Sequence, residues 1–141
     1  MGDLLRRMAM MQQAEPGDGR IYLYKDGDKC ESVTGGWTDL DSHIEWQADN
    51  IFLTHSSTVK RAETVNSFAC KKIGCEYYWT GGSGAYGLRL YIGSKQFPIL
   101  MSSSAEDEVT VFESNVGNYS GFVTIGAYFG RWHIKKLWIE V

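Results

Sequence analysis

The sequence predicts an all-β fold: an antiparallel β-sandwich with jelly-roll connections, preceded by a short N-terminal helix or disordered arm. Three observations carry this. Apolar residues recur with period two along most segments, the period of a strand with one buried face. Turn residues, drawn largely from 16 Gly, return every ten or so positions, and there are only 2 Pro. The chain is also rich in Tyr, Trp, Phe, Thr, Val and Ile, which fit a pleated, half-buried surface. Short strands at such spacing, about eight or nine of them, argue a sandwich.

The first segment differs. Leu4, Leu5, Met8 and Met11 fall at helical spacing among good helix formers, and Glu15-Pro16-Gly17-Asp18-Gly19 then breaks the chain. Residues 1–19 are therefore an arm and linker, and residues 20–141 one domain. At 141 residues the chain can bury a real core, roughly 70% of its unfolded surface. A helix this short is marginal alone, so the Met/Leu stripe is either solvated or docked on a partner.

Arg20 to Lys25 reads as the first strand, with Ile21 and Leu23 on one face and Tyr22 and Tyr24 on the other. Asp26-Gly27 is a hairpin turn, and Lys29 to Val33 a returning strand. An irregular region from Gly35 to Asp49 holds Trp37, His43 and Trp46. Asn50 to His55 is a strand with Ile51 and Leu53 inward, and Ser56 to Thr64 is polar and exposed. Val65 to Ile73 and Cys75 to Trp79 are two strands. After a Gly-rich loop, Tyr86 to Gly93 is a strand with Leu88, Leu90 and Ile92 inward. Phe97 to Met101 is short, and Glu108 to Glu113 places Val109 and Val111 inward. The last stretch, Asn118 to Val141, reads as a hairpin turning at Phe129-Gly130-Arg131. Val123, Ile125 and Ala127 share one face of its first strand. Its second strand carries Trp132 and Ile134 on one parity and Leu137, Ile139 and Val141 on the other, so one extra residue near Lys135-Lys136, a β-bulge, brings both sets to one face.

Bulk properties narrow the function. Net charge is −3 with both signs interspersed, and no basic block offers phosphates or an anionic membrane a surface. No transmembrane run exists, and MGDLLRRMAMMQQ lacks the apolar core of a signal peptide; the chain is expected to be made in the cytoplasm. Three cysteines, Cys30, Cys70 and Cys75, make a poor disulfide framework and are expected as free thiols.

Motifs for catalysis are weak. Gly82-Ser83-Gly84-Ala85-Tyr86-Gly87 matches the dinucleotide pattern, but Leu88-Arg89-Leu90-Tyr91-Ile92 follows as a strand, so no helix N-terminus would hold a pyrophosphate. His43, His55 and His133 lie in no metalloprotease pattern, and His133 is expected on a solvent face. No catalytic residue is assigned and no enzyme is expected. Asp26-x-Asp28 and Asp39-x-Asp41, with Asp18, Asp49 and Glu140, read as solvated turn residues; no cofactor or metal ligand is assigned, though the oxygens leave room for a structural calcium ion.

The informative set is aromatic. Trp37, Trp46, Tyr78, Trp79, Tyr86 and Tyr128 lie in or beside loops and strand edges, and are the candidate ligand-binding residues. Sugars present flat C–H faces that stack on such rings, with polar neighbours fixing the hydroxyls. The same residue types serve protein interfaces, and singly they also fill β-sandwich cores, Trp79, Trp132 and Trp138 in particular.

Asp3-Leu4-Leu5-Arg6-Arg7-Met8-Ala9-Met10-Met11 resembles the start of prophage-encoded minor tail or structural proteins of gut Firmicutes. Gly121 to Tyr128 (GFVTIGAY), with Ile134 to Glu140 (IKKLWIE), resembles the closing strands of galactose-binding-like jelly-roll domains found in such proteins. The resemblance implies a jelly roll in a virion-surface or host-binding setting and transfers no catalytic residue. Two expectations follow: a non-enzymatic module recognising a glycan, or a structural module of a tail that packs against other subunits or further copies of itself.

Overall fold

The computed structural model describes residues 19–80, 87–98, 107–128 and 130–141. The expected N-terminal helix or arm and the glycine-rich loop with Tyr86 lie outside them. Within them are nine strands, all paired antiparallel, and a single helical turn: β1 (Ile21–Lys25), α1 (Glu31–Thr34), β2 (Trp37–Asp39), β3 (Ile44–Trp46), β4 (Ile51–Leu53), β5 (Lys60–Trp79), β6 (Leu88–Ile92), β7 (Lys95–Pro98), β8 (Thr110–Ala127) and β9 (Trp132–Glu140). The sheet runs β3-β4-β9-β5-β8-β6-β7, with β1 beside the later half of β9 and β2 beside the start of β5.

One sheet makes both layers because β5 bends. Twenty residues of straight strand would span roughly 65 Å at ~3.3 Å each. Yet Ala127 donates to Val59 O at the start of β5, while Trp132 pairs with Trp79 at its end. Only residues 128–131 join Ala127 to Trp132, a reach of roughly 18 Å. The two ends of β5 are therefore folded toward each other. Register shifts at Lys60/Ala62, Glu63/Ser67 and Cys70/Lys72 in the β5–β8 ladder supply the bends, since each bulge kinks its strand. Leu88, Leu90, Ile92, Val123 and Ile125 from one layer meet Ile73, Cys75, Tyr77, Trp132, Ile134, Leu137 and Ile139 from the other in a single buried core. The all-β antiparallel sandwich holds.

The bulge expected near Lys135-Lys136 is present: Glu76 faces Lys136 and Tyr77 faces Ile134, leaving Lys135 as the extra residue. Trp132, Ile134, Leu137 and Ile139 accordingly share the core. The Asp26-Gly27 turn is also present, with φ of 46° and 100° and paired hydrogen bonds between Lys25 and Asp28. Both values are positive, as a type I′ turn requires. Ile51, Leu53, Leu88, Leu90 and Ile92 point inward as expected.

Other expectations are corrected. β8 and β9 form no hairpin; β5 lies between them, antiparallel to each, so the two run in the same direction. The two strands expected between Val65 and Trp79 are one, because Gly74 continues the ladder. The polar stretch from Ser56 to Thr64 is partly buried: Arg61 and Ala62 are fully enclosed. Lys29 to Val33 is not a strand but leads into α1, entered through Cys30 at φ 50°. Val109 and Val111 face outward, about half exposed, and Phe112 packs against the core instead. Register shifts again at Tyr22/Tyr24 on β1, so Tyr24 joins Ile21 and Leu23 in the main core while Tyr22 joins Cys30 and Trp138 in a small second cluster.

Candidate functional site

The six aromatic candidates do not form one surface. Trp37 and Trp46, on β2 and β3, stand side by side with ring centroids 5.7 Å apart, and the buried Tyr24 lies 6.1 Å from Trp46. Tyr78 stands elsewhere, on the outer face of β5. Trp79 is half-buried against the core opposite Trp132, Tyr128 is half-buried with the Arg89 guanidinium 5.5 Å from its ring, and Tyr86 lies outside the described residues.

The Trp37–Trp46 pair is held rigidly. The Trp37 indole N–H donates to Leu23 O (3.2 Å) and Lys29 O (3.1 Å), and the Trp46 indole donates to Asp39 Oδ1 (2.9 Å). Both rings remain partly exposed. Lys29 Nζ stands 4.4 Å over the Trp46 ring, attracted by the negative face of the indole. The group is thus two fixed indoles with an ammonium and a carboxylate at the rim. Sequence reading found the two tryptophans but not Lys29, whose position depends on the Asp26-Gly27 turn.

Burial pushes the Tyr24 hydroxyl up to about 12, so it stays a neutral phenol. Burial, then Asp28, pushes the Cys30 thiol up to about 12. Cys30, Cys70 and Cys75 are buried free thiols, as expected.

A second group is absent from the sequence reading. His133 is not on a solvent face. Its ring lies between Phe52 (4.6 Å, interplanar angle 7°) and Tyr78 (4.4 Å, 4°), because the three occupy one row across β4, β9 and β5. Its Nδ1 is 2.9 Å from Asn50 Oδ1 and its Nε2 is 3.1 Å from Thr80 Oγ1. Burial lowers its pKa against the opposing fields of Asp107 and Asp49. With both nitrogens engaged and both faces covered, this imidazole is a packing element rather than a base reaching substrate. No sequence signal marks such a stack, since it needs three strands in register.

Arg61 forms the third polar group. It is fully buried, pairs with Asp41 Oδ2 at 3.0 Å, and donates to Thr54 O and Ala127 O at 3.1 Å each. Burial pushes the Asp41 carboxyl up, but hydrogen bonds from Thr58 and the His43 amide, and the Arg61 charge, hold it below its ordinary value. Burial outweighs Asp41 at Arg61, lowering it. Of the other carboxylates noted in sequence, Asp28 accepts from the Cys30 amide, Asp26 stands 3.8 Å from Lys136 Nζ and Asp49 accepts from the Asn50 side-chain amide, while Asp18 lies outside the described residues. Among the described residues no cluster of three or more His, Cys, Asp or Glu is gathered around a metal position, and no described helix is long and apolar enough to cross a membrane.

Comparison with known proteins returns no match of the chain to any protein-family model, curated protein or solved structure.

Proposed function

We propose that this chain is a non-enzymatic binding module that takes a carbohydrate on the Trp37–Trp46 surface. The observation that carries the reading is the pair itself: two partly exposed indoles, 5.7 Å apart, whose N–H groups are spent on the protein. Both rings pack partly against the core and keep part of their surface open, and fixing them beforehand lowers the ordering cost of binding. Lys29 can turn from the Trp46 ring to a hydroxyl, and Asp39 can accept from one. The resemblance of the chain's ends to prophage tail proteins and their galactose-binding-like jelly-roll domains implies a jelly roll in a virion-surface or host-binding setting.

The test is a glycan array followed by calorimetry. Wild type binds at least one glycan class, and Trp46→Ala and Lys29→Ala each weaken it by about tenfold, or 1.4 kcal/mol, with unchanged Tm for the lysine variant. An array without a hit, or undiminished binding by Trp46→Ala, contradicts the proposal.

A second reading, a structural module of an assembly, is favoured by a separate observation. Val65, Val109, Val111, Phe122 and Val141 are each about half exposed. Apolar side chains left in water are what a subunit contact covers.

A further inference from the structure

The inner edge of β5 is interrupted. It pairs with β2 from Ala62 to Thr64, Val65 N–H reaches Gly36 O, and pairing resumes with β9 only at Lys72. Between these, residues 66–71 face no described strand on that side. The gap is a notch of about 420 Å³ lined by Ser32 and Val33 of α1, by Asn66, Ser67, Phe68 and Ala69 of β5 and by Val141, with the Asn66 amide donating to Val33 O at 3.0 Å. An uncovered strand edge beside apolar side chains is a template for another extended segment.

The described chain begins beside this notch. Ile21 pairs with Ile139, and Gly19 is packed against Glu140, so close that a Cβ there would stand 3.3 Å from the Glu140 carboxylate. Val141, next along, is the notch wall. Residues 15–18 reach roughly 14 Å, enough to cross the end of β9, whose spacing from β5 is roughly 5 Å. Beyond them in the sequence stand Leu4, Leu5, Met8, Met10 and Met11, and methionine suits an irregular apolar gap.

We propose that the notch between α1, β5 and Val141 is a docking site for the chain's own N-terminal segment, residues 3–14. Attachment at Gly19 makes the encounter intramolecular, which favours this occupant over any free peptide. The site uses none of the residues of the Trp37–Trp46 surface, and it stands or falls independently of carbohydrate binding.

Hydrogen exchange tests it on three proteins: the full chain, a chain lacking residues 1–14, and the full chain carrying Ala69→Arg, which fills the notch. In the full chain, amides of residues 67–71 that point away from β8 exchange at least tenfold more slowly than in the truncated chain. A synthetic peptide of residues 1–15 restores their protection in the truncated chain, and Ala69→Arg abolishes it in the full one while core amides of β9 stay protected. Equal exchange in full and truncated chains, or a peptide without effect, overturns the proposal. Protection that grows with protein concentration also overturns it, by assigning the notch to the arm of a second copy.

Discussion

At the scale of single residues, the physics of burial was legible where a side chain is apolar and illegible where it is charged. Leu88, Leu90 and Ile92 announce their inward face by alternation alone. Arg61 sits in a polar stretch and is fully enclosed, because its guanidinium gathers Asp41, Thr58, Thr54 and Ala127 from four places in the chain. Of these only Thr58 lies in its own polar segment, and nothing there signals the other three. His133 is the same kind of case, its cover coming from β4 and β5. Its lowered pKa makes a prediction whose sign is fixed. The folded chain disfavours the imidazolium, so the neutral ring contributes stability that is whole above the ordinary imidazole value of about 6.5 and is lost as pH falls toward the lower folded value. Urea unfolding between pH 8 and pH 5 should show stability declining below about 6.5, and His133→Phe should flatten that decline. An unchanged slope in the variant means the stack does not carry it.

At the scale of elements, strand existence was readable and strand partners were not. The two closing strands were visible, and so was the extra residue at Lys135, because apolar side chains that change parity within one strand reach a common face only across an inserted residue. Proximity in sequence favours a hairpin between them, whereas β5 lies between the two. Alternation favours Val109 and Val111 inward, but the core takes Phe112, the larger side chain of the opposite parity. Bulges reset parity, and sequence alone does not number them. The Lys135 bulge therefore gives a sharp contrast. Lys135→Ala keeps the residue count and should shift stability by less than about 0.5 kcal/mol. Deleting Lys135 moves either the Trp132–Ile134 pair or the Leu137–Ile139 pair to the wrong face and should abolish cooperative unfolding in a denaturant titration. A deletion variant with wild-type stability would show that the bulge does not set the register.

At the scale of the whole molecule, one long bent strand folds a single sheet over its own core, and this closure places β2 and β3 so that Trp37 and Trp46 share a surface. The sequence pointed to aromatic recognition in general; the grouping into a Trp37–Trp46 pair, a Tyr78–His133–Phe52 stack and separate half-buried rings came from the folding of the sheet. Binding at that pair is most directly read from the five indole N–H resonances of the chain during a glycan titration. The signals of Trp37 and Trp46 should move together and saturate at one affinity, while those of the fully buried Trp132 and Trp138 stay fixed. Movement confined to any other indole, or five signals that hold still under every glycan tried, would contradict carbohydrate recognition at this surface.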